Sequence, residues 1–170
     1  MNEFIIRRAT VADAATIASH RARMFRDMGQ VPPELYEPLR ASAEKWLVNG
    51  FGSGEYVGWL ATAVNLPLDI IGGVGVQLRR VSPHARQKAD GEVLIAEGRH
   101  ALVINVFTEP KWRRRGIGES LVREIIAWAK TERLDRLVLH ASKEGRKLYE
   151  RLGFVITNEM RYAGDLGEAG

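Results

Sequence analysis

The sequence predicts the α/β class: one domain built on a mixed, mostly antiparallel sheet flanked by helices. Three observations carry that expectation. The 170 residues match the size of one ordinary domain. Strand-like runs alternate with stretches of helical periodicity along the chain. Two apolar runs, 56–64 and 70–78, are separated by a break containing Pro67 and Asp69, the spacing of an antiparallel hairpin. With 45% hydrophobic and 27% charged residues, the composition is globular and excludes wholesale disorder, collagen and coiled coil.

Residues 3–8 read as a first strand. A helix follows, opened by Thr10 and Asp13 in capping-box spacing and patterned by Ala14, Ile17, Ala18, Met24 and Phe25, with Gly29 as its end. Pro32 and Pro33 open a second helix, anchored by Leu35, Leu39, Trp46 and Leu47, which the pair Asn49-Gly50 stops after Val48. Gly72, Gly73 and Gly75 mark the second hairpin strand as bulged or closely approached by another backbone. Residues 79–98 read as a long polar connection, a lid or a mobile segment, with a short extended piece at 93–96. Residues 101–108 form a strongly apolar strand, and a helix runs from the following glycine turn to Thr131. Ile117, Leu121, Val122, Ile125, Trp128 and Ala129 make its apolar face. A short buried strand at 137–140 and a helix at 142–152, stopped by Gly153, come next. Residues 154–157 and 160–162 suggest one or two final strands, and 163–170 a frayed tail. No repeat or linker interrupts the chain, so 1–170 reads as one domain.

There is no cysteine, which removes disulfides, thiolate metal sites and a cysteine nucleophile. The histidines show no HxxxH or HxH spacing, so no metal is expected. The N-terminal apolar run is only Phe4-Ile5-Ile6, too short for a secretory signal. The longest apolar stretch, 57–64, is far below the ~18 residues of a membrane span. The expectation is a soluble, cytoplasmic protein without a membrane partner. The net charge is +4, and Lys111, Arg113, Arg114 and Arg115 account for it, since the remaining basic residues equal the 21 acidic ones. Such a point concentration favours one local anionic group. A nucleic-acid surface spreads its basic residues over a face, so a nucleic-acid partner is not expected.

The most informative segment is Ile104-Asn105-Val106-Phe107-Thr108-Glu109-Pro110 followed by Arg113-Arg114-Arg115-Gly116-Ile117-Gly118-Glu119. It places a glycine turn between a buried strand and the first turn of a helix. The first amides of a helix lack intrahelical acceptors and receive anions. Gly116 and Gly118 let phosphate oxygens approach the main chain, and the arginines add charge-assisted hydrogen bonds. Together these make a pyrophosphate cradle. A Walker A loop is absent. Asn105 is polar within an apolar strand, either a satisfied buried amide or a group that holds water or substrate.

Here the sequence resembles the Gcn5-related N-acetyltransferase (GNAT) superfamily. Arg113-x-x-Gly116-x-Gly118 matches its Gln/Arg-x-x-Gly-x-Gly/Ala acyl-CoA motif, and Tyr149 in Leu148-Tyr149-Glu150-Arg151-Leu152-Gly153-Phe154 matches its second motif. The resemblance implies a GNAT-like domain whose fourth and fifth strands, 101–108 and 137–140, splay apart to admit the cosubstrate. It implies acetyl-CoA as cosubstrate and a small-molecule or peptide amine as acceptor. The main chain of Val106, Phe107 and Thr108 would pair with the pantetheine arm. Arg113 begins the motif, and the amides of Arg114, Arg115, Gly116, Ile117, Gly118 and Glu119 would bind the pyrophosphate. Ser142 stands where many members have a cofactor-contacting Asn. Arg146 or Lys147 would reach the nucleotide phosphates. Tyr149 would reprotonate the leaving thiolate, and with no cysteine available the amine would attack directly in a ternary complex. Met24, Phe25, Asp27 and Met28 would line the acceptor pocket. Asn105, Glu109, Glu92, Glu97, His100 and His140 all remain open as the general base, while His20 and His84 show no partner in sequence. The family's frequent dimers make a homodimer one allowed state. A non-catalytic acyl-CoA-binding sensor or regulatory module shares the same motif and stands as the alternative reading.

Overall fold

The structure is a computed structural model that describes residues 3–164. The chain divides into two compact units, Met1–His140 and Ala141–Gly170. In the first, five strands form one sheet in the order β1 (Phe4–Arg8), β2 (Tyr56–Ala63), β3 (Leu66–Arg80), β6 (Arg99–Thr108), β7 (Arg136–Leu139). Neighbours are antiparallel except β6 and β7, which run parallel because helix α3 (Ile117–Thr131) carries the chain between them. The expected α/β class and mixed sheet are present. Helices α1 (Ala14–Asp27) and α2 (Pro33–Ser53) cover one face, and α3 covers the other.

The strand pattern explains this sandwich. In β2, Trp59, Ala61 and Ala63 pack with Ile117, Leu121 and Ile125 of α3, whereas Tyr56 and Leu60 pack with Ile17, Ala18, Ala43 and Leu47 of α1 and α2. That is the period-two alternation of a strand buried on both faces. Leu47, Leu60, Ile117, Leu121 and Ile125 are among the fully buried side chains. Each contributes about 1.5–3 kcal/mol through the water it sheds. The capping box is present: Thr10 N donates to Asp13 Oδ2 at 2.8 Å. A 3-10 turn, Val11–Asp13, precedes α1.

Four expectations are corrected. Helix α2 passes through Asn49-Gly50 and ends only at Gly54, in the left-handed conformation with φ 76. Gly50 serves packing, since a Cβ there would lie 2.9 Å from the Tyr56 Cβ. The polar stretch after β3 contains the hairpin β4 (His84–Gln87) and β5 (Val93–Ala96), a second small sheet. In the second unit, helix α4 covers only Arg146–Arg151, because the Ser142 hydroxyl accepts from Gly145 N at 3.1 Å in a turn before it. Among the described residues no strand follows α4. Val155 and Ile156 are exposed with no neighbouring ladder to pair with. The frayed tail expected at 163–170 lies, from 165 onward, outside the described residues. No helix among the described residues is long and apolar enough to cross a membrane.

Gly58 and Gly75 stand opposite each other in the β2–β3 ladder, and the Tyr56 ring lies across them. The approach expected at the glycine-rich strand is thus partly by a side chain: a Cβ on Gly75 would overlap the hydroxyl end of the Tyr56 ring, while a Cβ on Gly72 would lie 3.0 Å from the Phe107 carbonyl oxygen. Gly75→Ala should therefore cost about 2–3 kcal/mol in equilibrium urea unfolding through overpacking. Gly58→Ala, whose Cβ would meet the ring edge at 3.1 Å, should cost less. Equal effects of the two would show that Tyr56 does not occupy this place.

Candidate active site

The site begins with one extra residue in β6. Gly73 pairs with Phe107 and Gly75 with Ile104, so two residues of β3 span three of β6. The surplus falls at Asn105, which adopts the left-handed conformation at φ 57. Asparagine tolerates this region better than most side chains. The bulge resets the alternation. Before it, Ala101 and Val103 face α3. After it, Val106 faces α3, while Ile104, Asn105 and Phe107 face α1 and α2.

Asn105 is thereby buried in a polar group. Its Oδ1 accepts from Arg21 Nη1 at 2.7 Å, and its Nδ2 donates to the Tyr56 hydroxyl at 3.5 Å. Burial pushes the Tyr56 phenol up to about 12, so it stays neutral. The Arg21 guanidinium lies 4.9 Å from the Phe25 ring centroid. Of the acceptor-lining candidates, Phe25 adjoins this group. Asp27 pairs instead with Arg26 and Arg113, and Met28 is largely exposed.

A second cluster surrounds Phe107. His20 stacks on its ring at 4.4 Å, and Arg23 lies over the same ring at 5.0 Å. Arg23 grips Glu109 through two hydrogen bonds of 2.6 and 2.8 Å. His20 Nε2 lies 3.7 Å from the same carboxylate. The Arg23 pair holds the Glu109 carboxyl below its ordinary range. Burial pushes His20 down to about 4 against the pull of Glu109. An open cleft of about 830 Å³ is lined by Thr16, His20, Arg23, Asp69, Glu109 and Lys111 among others. Neither His20 nor Tyr56 could be assigned from sequence: their partners lie far along the chain, and although the glycines of β3 marked an irregularity, nothing local set the surplus residue in β6.

The open edge and the glycine turn complete the first unit's site. β7 pairs with β6 only at His100, Ala101, Leu102 and Val103, so residues 104–108 continue with no strand beside them on that edge. This is the expected splay. Thr108 is followed by the 3-10 turn Pro110–Trp112 and then by Arg114 at φ 63 and Gly116 at φ 79. Left-handed residues in such a turn shape main-chain amides into an anion-binding concavity. A Cβ on Gly116 would meet nothing within 4 Å, so the side of the turn is open. Ser120 N donates to Gly116 O at 2.9 Å, leaving the earlier amides at the head of α3 without an intrahelical acceptor.

The expected cosubstrate residues differ in what they offer. Ile117 and Phe107 are buried, so only their main chains remain available. Arg113 Nε donates to the Thr108 carbonyl at 3.2 Å and braces the strand end. Arg115 pairs with Glu3 at 3.1 Å and lies over Trp112. Glu119 pairs with Arg123 one turn on. In the second unit, the Ser142 hydroxyl caps Gly145, and Tyr149 lies edge-on to Phe154 at 6.0 Å. Burial raises the Tyr149 phenol. His100 faces His84 at the other end of β6, with centroids 5.3 Å apart. His140 follows β7. Glu92 and Glu97 flank β5, away from Asn105 in sequence and exposed.

The His20 environment fixes a pH dependence. Because its folded value lies below its ordinary 6.5, the unfolded chain binds the proton more readily. Stability is full above about pH 6.5 and is lost as the pH falls toward 4, by about 2–3 kcal/mol. Urea unfolding of His20→Gln should lack this loss between pH 6.5 and 4. An unchanged slope would mean that His20 is not buried as a neutral ring. Glu109, held low by Arg23, adds its own loss as the pH falls below about 4.5.

The comparisons agree with this geometry. Residues 15–154 match the model of the acetyltransferase (GNAT) family. A GCN5-related N-acetyltransferase from Ralstonia eutropha JMP134 superposes with TM-score 0.79 at 25% identity, covering 94% of this chain and 97% of that one. A predicted acetyltransferase from Clostridium acetobutylicum, crystallised with acetyl-CoA, gives 0.74 at 24% identity over 95% and 96% of the two chains. A ribosomal-protein-alanine N-acetyltransferase from Brucella melitensis biovar Abortus 2308 shares the fold at TM-score 0.64 and 17% identity, over 96% and 99%. No curated protein matches the chain. The glycine turn, the interrupted sheet and the family match together place this chain in the GNAT acetyltransferase family.

Proposed function

We propose that the protein is an acetyl-CoA-dependent N-acetyltransferase that passes the acetyl group to a primary amine by direct attack in a ternary complex. The observation that carries this reading is the continuity of the open β6 edge, the bulge at Asn105 and the glycine turn at the head of α3. The main chain of Val106, Phe107 and Thr108 hydrogen-bonds the pantetheine arm along the unpaired edge. Thr108 takes part through its N–H, since its carbonyl already accepts from Arg113. The amides of Arg114, Arg115, Gly116, Ile117, Gly118 and Glu119 hold the diphosphate. Ser142 is assigned a cofactor contact by the resemblance alone. The cleft between α1 and β3 reaches Pro110, Lys111 and Trp112, just before this turn in sequence.

The chemistry follows from the groups present. The amine nitrogen attacks the thioester carbonyl, whose oxygen gains negative charge and is stabilised by a main-chain N–H next to the bulge. The carbon–sulfur bond then breaks, and Tyr149 donates the proton that the thiolate needs. Its raised phenol keeps that proton through neutral pH. Asn105 orients the acceptor. Glu109 is committed to Arg23 and His20 is a weak base, so the amine's surplus proton leaves to water.

Two variants test the assignment. Tyr149→Phe should lower kcat by about 10²-fold or more, read as thiol release with an amine panel, with acetyl-CoA affinity retained. An unchanged kcat across pH removes the acid role. Gly118→Asp sets a carboxylate against the diphosphate and should abolish coenzyme A binding in calorimetry. Full binding by that variant would move the diphosphate elsewhere. Tight binding of acetyl-CoA by the unaltered protein with no turnover of any amine would favour the sensor reading.

A further inference from the structure

Among the described residues, Arg21 is the one arginine of α1 without an acidic partner. Arg23 pairs with Glu109 and Arg26 with Asp27, whereas no carboxylate among the described residues pairs with Arg21. Its guanidinium is half-buried, packed beside Phe25, and makes one hydrogen bond, to the neutral amide oxygen of Asn105. Its electrostatic neighbour is the Tyr56 phenol, itself uncharged.

A guanidinium cannot discharge by losing its proton, and its five N–H donors form a planar fork. Withdrawing such a charge from water is costly unless an anion or full hydrogen bonding offsets it. One amide oxygen takes one of five donors, and no other Arg21 nitrogen is sealed from solvent without a partner, so the remaining donors are open to water or to a ligand. The protein therefore holds a fixed, unneutralised positive charge beside the residue where β6 opens. The diphosphate does not account for it, because Arg114, Arg115 and the amides of α3 lie at the far end of that edge in sequence. A basic role does not account for it either.

We infer that Arg21 is the anchor for a carboxylate carried by the acceptor, so that the substrate class is amines bearing a carboxylate, such as amino acids or acidic aminoalkyl compounds. This rests on the N-acetyltransferase reading and adds the acceptor's chemistry to it. The planar carboxylate matches the fork through two parallel hydrogen bonds. Asn105, bonded to the same guanidinium, places the amine end next to the bulge, and Phe25 keeps the guanidinium plane in position.

The test uses matched acceptors: an aminoalkyl carboxylate, its amide, and the corresponding phosphonate. A charge-assisted pair of this kind is worth a factor of about 10–100. The carboxylate should exceed its amide by that ratio in kcat/KM, chiefly through KM, and Arg21→Gln should bring the ratio near one. Arg21→Lys, which keeps the charge and loses the fork, should recover part of it. A structural role would instead lower both members alike, and that result overturns the inference. So does an amide as good as its acid, or a phosphonate preferred over the carboxylate. A second arm needs no turnover: calorimetry of an N-acetyl amino acid and its amide on the coenzyme A-loaded protein. The acid should bind at least tenfold tighter, and Arg21→Gln should remove the difference. Equal binding of the two overturns the inference. Failure of the underlying reading shows separately, as loss of coenzyme A binding by the unaltered protein.

Discussion

One surplus residue in one strand organises this protein. Without the bulge at Asn105, strand alternation would turn Asn105 toward α3 together with Val103, and Phe107 with it. The amide would then face the apolar core that α3 builds, where no polar partner waits. The bulge reverses the count, so Asn105 meets Arg21 and Tyr56 while Phe107 meets His20 and Arg23. It does so at the point where β7 stops. Side-chain chemistry and main-chain access are thereby brought to one place by a single irregularity.

Other features make room for this device. Tyr56 can reach under the sheet only because Gly58 and Gly75 lack side chains, and Gly50 lets α2 settle against the same tyrosine. Three glycines at well-separated chain positions thus support one aromatic side chain. The Arg23–Glu109 pair has a comparable part at the strand end. It fixes the residue that leads into the 3-10 turn and hence the start of the arginine-rich turn. Arg113 closes the same corner through the Thr108 carbonyl.

What the sequence disclosed and what it hid follow from range. The glycine turn after 101–108, the apolar face of α3 and the capping box at Thr10 are written within a few residues, and each is found where the spacing puts it. The α/β class was legible for the same reason, whereas the splay was implied by the family resemblance. Asn49-Gly50 was misleading because glycine can end a helix or admit a neighbour, and only Tyr56 decides which. The apolar pattern at 154–157 had a strand's composition but no neighbouring edge, which no local window reveals. Arg21, His20 and Tyr56 were hidden because their roles arise from contacts across helix α1, strand β2 and strand β6, and the glycines that marked the register shift did not show which side chains it would aim. The roles of Tyr149 and Ser142 rest on motif alone.

The short pairing between β6 and β7 has a cost for the protein when it stands alone. Residues 104–108 present a stretch of sheet edge without a strand alongside, and such an edge is a template for a second chain. Its brevity, the kink at Asn105 and the crowd of cations just beyond it limit that danger. If, as proposed, a cosubstrate lies along the edge, the same groups would be withdrawn from intermolecular pairing. The ligand would then act as a guard against self-association as well as a reactant, and colloidal behaviour would depend on metabolic supply.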